Sequence, residues 1–279
     1  VILITCAPLA AHAEPVRDAI HRIERDLGAR VGFYMRDVES GEVITHAADD
    51  RFPLNSTFKL LACGAALHSV TKGDARLTDT VQLDEIEIVS YSPAVQAHMA
   101  VGNGTLSLDD ACRMTLSVSD NTAANVVLSK IGGPAGLTAY LRSIGDAVTR
   151  LDRMEPDLNA ARPGDPRDTT TPRAIANSVE HLLLGEGLPA PSRAILRGWL
   201  AQHSVADDLF RAALPPDWAI EDRTGAGGYG SRSIVAVLYP PQRQPIIAAL
   251  FITETDASFP RRNAAIAEVG AAIVARTRP

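Results

Sequence analysis

Strand-like segments lie near both ends of this chain, and the long stretch between them reads as helix. At the N-terminal end, Val31–Val38 and Val43–His46 alternate like strands around the turn Glu39-Ser40-Gly41-Glu42. At the C-terminal end, Ser233–Tyr239 and Ile246–Thr253 flank the hairpin-like connection Pro240-Pro241-Gln242-Arg243-Gln244. From about residue 55 to 200 the period is helical, with segments Thr57–Val70, Ser107–Val118, Thr122–Ile131, Pro134–Ile144 and Pro172–Leu184. Amphipathic helices close both ends: Val16, Ala19, Ile20, Ile23 and Leu27 before Gly28, and Ile266, Val269 and Ile273 after about Arg261. A sheet assembled from both termini forces everything between them into a separate inserted body. The expected fold is therefore α/β (α+β) with two subdomains, an antiparallel sheet from both termini flanked by helices and an inserted all-helical domain. The α/β part covers about 14–49 and 203–279, the helical part about 50–202. A cleft between two such bodies is a favoured ligand site.

Residues 1–13 read as a truncated secretion-signal remnant, a short apolar stretch ending in Ala11-His12-Ala13. The other reading, a buried N-terminal strand, is opposed by Pro8. Leu3-Ile4-Thr5-Cys6 resembles a lipoprotein box, but the apolar run before Cys6 is too short for anchoring there to be expected. The expected location is thus exported and periplasmic. Export brings Cys63 and Cys112 into an oxidising compartment, where an even pair is most simply a disulfide. It would close a loop of about 50 residues, worth ~4 kcal/mol by chain entropy; two buried free thiols are the alternative. A net charge of -6 offers no basic surface to a phosphate backbone, so no nucleic-acid partner is expected. No apolar run reaches the length of a membrane span. The histidines at 21, 46, 68, 98, 181 and 203 stand singly, with no metal-ligand spacing. No metal and no other cofactor are expected, and nothing calls for an oligomer; a monomer is the expectation.

Three short motifs carry chemistry. Ser56-Thr57-Phe58-Lys59 stands where a helix begins, with the hydroxyl near free backbone N–H groups and Lys59 one turn on along the same face. A neutral lysine there accepts the serine proton and a cationic one lowers its pKa, so Ser56 is a candidate nucleophile. Ser119-Asp120-Asn121 precedes another helix and alone reads as a capping turn. Arg223-Thr224-Gly225 joins a cation, a hydroxyl and a flexible residue near a strand edge, a set suited to a carboxylate. Between the last two lies a long polar stretch, 151–171, that fits neither period and includes Glu155-Pro156-Asp157-Leu158-Asn159.

In this order the motifs resemble the S-x-x-K, S-D-N and K-T-G set of the serine β-lactamases and penicillin-binding proteins. The Glu155–Asn159 segment resembles the E-x-x-L-N part of the omega loop in class A β-lactamases, and the resemblance spans about residues 14–279. Cys63 follows Ser56 by seven residues and Cys112 precedes Ser119 by seven, as in disulfide-bearing members of that class. The resemblance implies Ser56 as the acylated nucleophile, with its N–H and that of Ala226 as oxyanion hole. It implies Lys59 and Glu155 as proton carriers, Glu155 with Asn159 as holders of the hydrolytic water, and Ser119 as proton donor to the leaving nitrogen. Asn121 would bind the substrate's side-chain amide, and Tyr91 would form a cleft wall. Arg223, Thr224, Gly225 and Arg232 would bind the carboxylate on the fused ring. Arg153 and Asp168 would pair to close the omega loop, and Glu155–Pro156 would be cis. Arg223 departs from the usual lysine and resembles the R-T-G, carbenicillin-hydrolysing subset, implying turnover of penicillins including carboxypenicillins and poor turnover of bulky oxyimino-cephalosporins. Gly227 and Gly228 suggest a mobile strand edge. A D,D-peptidase and a covalent penicillin sensor are the rival readings; the first lacks a placed deacylating base, which Glu155 and Asn159 would supply here, and the second needs a partner or a membrane segment, of which the sequence shows no sign.

Overall fold

The computed structural model describes residues 14–277. Five strands form one antiparallel sheet: β1 (Arg30–Asp37), β2 (Val43–His46), β3 (Ala219–Ala226), β4 (Arg232–Tyr239) and β5 (Ile246–Thr253), in the spatial order β2-β1-β5-β4-β3. The chain ends thus meet along β1–β5, where Arg30 to Asp37 run opposite Thr253 to Ile246. Strand β5 (IIAALFIT) is buried along its whole length, so its apolar run is continuous rather than alternating.

The helices are α1 (Glu14–Leu27), α2 (Phe58–Lys72), α3 (Pro93–Ala100), α4 (Leu108–Val118), α5 (Asn121–Lys130), α6 (Gly133–Ser143), α7 (Pro172–Leu183), α8 (Ala190–Leu200) and α9 (Phe259–Thr277). Helices α1 and α9 cover one sheet face through Val16, Ile20, Ile266 and Ile273, against Phe33, Met35, Ile234 and Leu250. The opposite face, with Val235, Val237, Ile247 and Phe251, is continuous with the core of the helical body. Alternate residues of one strand thus serve two cores, as the period of two requires.

Helix α2 is the axis of the helical body. Every residue from Phe58 to Leu67 is buried, so its sequence shows no polar face. Cys63 on α2 and Cys112 on α4 are joined as a disulfide. Three elements escape the sequence reading. Helix α3 is only eight residues long, α8 carries a proline and a glycine among its eleven residues, and β3 (AIEDRTGA) lacks alternation because buried charges interrupt it. No described helix is long and apolar enough to cross a membrane. Residues 1–13, where the signal and lipoprotein readings fall, lie outside the described residues.

Candidate active site

Where the helical body meets the edge strand β3, a cleft of about 740 Å³ opens, lined by Ser56, Tyr91, Ser119, Asn121, Asn159, Thr224, Gly225, Ala226 and Arg232. Each motif reaches it from a different element. Ser56 lies in a single 3₁₀ turn, Asn55–Thr57, that runs directly into α2. Burial of α2 on all sides fixes that turn; Asn55, at φ +43°, sets the entry. Ser119 stands between α4 and α5 in the left-handed region, φ +66°. Asp120 is wholly buried; its Oδ1 accepts the Ala123 N–H (2.9 Å), and its Oδ2 accepts those of Ala94 (2.9 Å) and Val95 (3.0 Å). One carboxylate thereby caps α5 and holds the start of α3. Tyr91, at φ +60°, accepts the Asn121 N–H through its carbonyl (3.0 Å), which leaves its ring projecting over the cleft. Non-glycine residues in this region are strained, and their clustering around one cleft fits a functional site.

A continuous hydrogen-bond network links the buried polar groups. Lys59 Nζ donates to Ser119 O (2.9 Å), Ser119 Oγ (3.2 Å) and Asn121 Oδ1 (2.7 Å). Those three acceptors use all three N–H donors of an ammonium. Glu155 Oε1 stands 3.0 Å from the same nitrogen, a buried ion pair beside those three bonds. Burial pushes the Lys59 pKa down to about 8, with Glu155 opposing the fall and Arg223 assisting it. Ser119 Oγ also receives an N–H from Arg223 Nη2. With two donors on its lone pairs, the Ser119 hydroxyl proton is what it offers Ser56 Oγ, 3.1 Å away.

Glu155 is aimed by its loop. The Glu155–Pro156 bond is cis. Asn125 clamps the Glu155 backbone at both ends, accepting its N–H and donating to its carbonyl, each at 2.9 Å. Asn159, one 3₁₀ turn on, donates its amide to Glu155 Oε2. At the loop's neck Asp168 Oδ2 accepts from Arg153 Nε at 2.6 Å. The polar 151–171 stretch is therefore an ordered, tethered loop. Gly227 and Gly228 likewise serve close packing rather than mobility. A Cβ on Gly228 would stand 2.4 Å from Ala160 O, and one on Gly227 2.3 Å from Asn55 Oδ1. Gly228 N–H donates to Asn159 O at 2.9 Å, joining the end of β3 to the loop.

The cleft's cationic side differs from expectation in one respect. Arg232 lines the cleft, braced by Asn263 Oδ1 (2.8 Å) and Gly225 O (3.1 Å), and burial lowers its pKa to about 10. Arg223 instead has no exposed surface: its long side chain folds behind Ser56 and Ser119. The guanidinium fork uses its donors on protein acceptors, so it reaches the cleft only through its charge and through Ser119, to which Nη2 donates.

The Beta-lactamase enzyme family matches residues 15–277. Beta-lactamase AER-1 of Aeromonas hydrophila is 47% identical over 252 residues, 90% of this chain and 82% of that protein. Beta-lactamase PSE-4 of Pseudomonas aeruginosa is 43% identical over 260 residues, 93% and 89% of the two chains. Among solved structures, the chromosome-encoded β-lactamase of Vibrio parahaemolyticus superposes with a TM-score of 0.90 at 40% identity, over 94% of this chain and 99% of that one. An ancestral class A β-lactamase gives 0.89 at 44%, over 93% and 99%. The chain belongs to the class A β-lactamases. It is a serine β-lactam hydrolase, an antibiotic-resistance enzyme that opens the lactam ring, and the peptidase and sensor readings are not favoured.

Several residues of the enzyme's site carried no sequence signal. Asn125 sits in a helical run, Asn55 precedes the serine motif without belonging to it, and His203 is a lone histidine in a loop. The histidines are also less scattered than their spacing suggests. His21 on α1 and His46 on β2 both approach Glu24, at 3.7 and 2.8 Å. That cluster is at the far edge of the sheet from β3.

Proposed function

We propose that Ser56 attacks the lactam carbonyl, forming the Oγ–C bond as the ring C–N bond breaks. Glu155 takes up the Ser56 proton, Ser119 passes its own proton to the departing nitrogen, and the Lys59 ammonium reprotonates Ser119 and recovers its proton from Glu155, so that Lys59 and Glu155 share the proton duties. The carbonyl oxygen sits between the N–H groups of Ser56 and Ala226, the electrostatic part of the catalysis. A water molecule then attacks the ester. Glu155 takes one of its protons as the hydroxide oxygen bonds to the carbonyl carbon, then returns it to Ser56 Oγ as the acyl C–O bond breaks, restoring Ser56.

The observation carrying this reading is a pair of buried oxygens on side chains already bonded to each other: Asn159 Oδ1, which has no donor, and Glu155 Oε1, whose only neighbour of that kind is the Lys59 ammonium at 3.0 Å. A water has two protons for two such acceptors, and leaving a buried acceptor such as Asn159 Oδ1 unpaired costs about 1–3 kcal/mol. Neither a peptidase nor a sensor needs that arrangement. Glu155→Ala should trap the acyl-enzyme: mass spectrometry after mixing with ampicillin shows one persistent adduct and nitrocefin gives a single-turnover burst. Undiminished steady turnover by that variant refutes the assignment.

The preferred substrates are penicillins, carboxypenicillins included. Arg232 on the cleft wall and Arg223 behind it give this end of the site two fixed cations. Carbenicillin hydrolysis about a hundredfold less efficient than that of benzylpenicillin overturns this preference. The enzyme works as an exported, periplasmic monomer. The Cys63–Cys112 disulfide supports the oxidising compartment.

A further inference from the structure

Behind the catalytic serines lies a buried titratable group that the mechanism above does not use. His203 follows α8 in a loop tied back at two points: its N–H donates to Leu200 O (3.0 Å), and the Ser204 N–H donates to Ser117 O (3.0 Å). Its imidazole has no exposed surface. Nδ1 lies 3.0 Å from Asp222 Oδ2 and Nε2 lies 3.0 Å from Arg223 Nη1. A guanidinium has only donors, so Nε2 must be the accepting nitrogen and the proton must be on Nδ1, directed at Asp222. Arg211, from the 3₁₀ turn Phe210–Ala213, donates to the other oxygen of Asp222.

The Arg223 guanidinium has five N–H donors. Nε donates to Ser56 O (3.2 Å), Nη1 to Leu116 O (3.2 Å) and to His203, and Nη2 to Ser119 Oγ. The two backbone carbonyls hold one edge of the fork. His203 is the side chain that holds its far corner and so sets the roll that presents Nη2 to Ser119.

We infer that His203 is a positioning residue for hydrolysis: as the neutral Nδ1–H tautomer, oriented by Asp222, it holds Arg223 in the rotation that polarises the Ser119 hydroxyl. The inference rests on the assignment of Ser119 as proton donor in the proposed function. An imidazolium would turn a second N–H toward Arg223 Nη1 and push the guanidinium away. Burial first, and then the Arg223 charge, lower the imidazole's pKa, while its hydrogen bond to Asp222 works the other way; the neutral form results. The charged groups facing it are Asp222 and Arg223 on β3 and Arg211 on the 3₁₀ turn, while α4 presents backbone. An arginine at 223 is what makes this device possible, because a lysine has no forked second nitrogen to reach both His203 and Ser119.

The test is a double-mutant cycle. His203→Leu should lower kcat/KM for benzylpenicillin by about tenfold with Arg223 present and by less than about twofold in an Arg223→Lys background. His203→Gln, which keeps an acceptor near the Nε2 position, should restore most of the loss. Equal losses in both backgrounds, or none in either, overturn the inference. Long-range ¹H–¹⁵N spectra, with the His203 signals identified by their absence in His203→Gln, should show Nδ1 protonated near pH 7; an Nε2–H tautomer overturns it even if the leucine variant does not fold. Unchanged kcat/KM in Ser119→Ala would remove the parent assignment. Loss there, with a neutral His203→Leu, removes only the role of His203.

Discussion

Asp168 tethers the loop that carries Glu155, and the structure allows the consequence of removing it to be worked out. Its carboxylate is almost fully buried. Oδ1 accepts the N–H groups of Asp152 (2.7 Å) and Arg153 (2.9 Å), and Oδ2 accepts Arg153 Nε (2.6 Å). In Asp168→Ala the two amides lose their partner, at about 1–3 kcal/mol each where water cannot replace it. The backbone at φ +54° adds about 1 kcal/mol, since alanine tolerates that region less well than aspartate. The expected destabilisation is ~4 kcal/mol, which lowers Tm by about 10 °C for a chain of this size. Asp168→Asn keeps an oxygen for the two amides and loses only the charge opposite Arg153, so about 2 kcal/mol is expected. Urea and thermal unfolding of both variants measure the difference. Catalysis should follow the loop: deacylation slows more than acylation, and acyl-enzyme accumulates during ampicillin turnover. If the alanine and asparagine variants are equally destabilised, the carboxylate's hydrogen bonds to the loop backbone are not what holds it.

Lys59 gives a prediction with opposite signs for stability and activity. Its pKa is about 8 when folded against an ordinary 10.5, so the folded enzyme releases this proton first. The unfolded chain then binds more protons between those pH values, and the group's contribution to stability rises there with pH. Over the same range kcat/KM should fall, because a neutral amine lacks one of the three N–H groups now holding Ser119 and Asn121; a flat profile to about pH 10 would contradict this. Gly228→Ala should force β3 away from the loop at Ala160 O, with a cost of about 1–3 kcal/mol, and widen the cleft. A gain in oxyimino-cephalosporin turnover relative to penicillin checks it, and an unchanged ratio tells against it. Replacing Cys63 and Cys112 with alanine should lower stability by up to ~4 kcal/mol, from a bridge spanning 49 residues, while catalysis stays intact. A denaturation midpoint unmoved by the double replacement would show that the bridge contributes nothing.

The division between what local pattern shows and what only the folded chain shows is visible in these same residues. Periodicity located β1, β2, β4, β5 and most helices, because each buries one face or is buried throughout and its apolar residues repeat accordingly. Strand β3 escaped because its two central charges, Asp222 and Arg223, are buried and paired with groups from other elements, so burial and polarity do not alternate together. Motif resemblance singled out Ser56, Lys59, Ser119, Glu155 and Asn159, which the fold brings together although these positions are up to 103 residues apart and no local rule relates them. It also placed Arg223 among the substrate-facing groups.

That placement exposes a physical limit of motif reading. A motif records residue type along the chain, and a longer cation at the same position need not put its charge at the same point in space. The lysine usual at this position ends in one nitrogen; the arginine here ends in a fork three atoms wide that must be satisfied on every edge once buried. The backbone oxygens of Ser56 and Leu116 satisfy part of it. What remains requires an acceptor on the side away from Ser119, and His203 supplies it only if Asp222 keeps the imidazole in one tautomer. Residue 223 is therefore coupled to positions 203 and 222, neither of which lines the cleft. Exchanging Arg223 for lysine alone should consequently not produce an ordinary K-T-G enzyme, since it strands a buried imidazole lone pair that no lysine amine at that distance is built to meet.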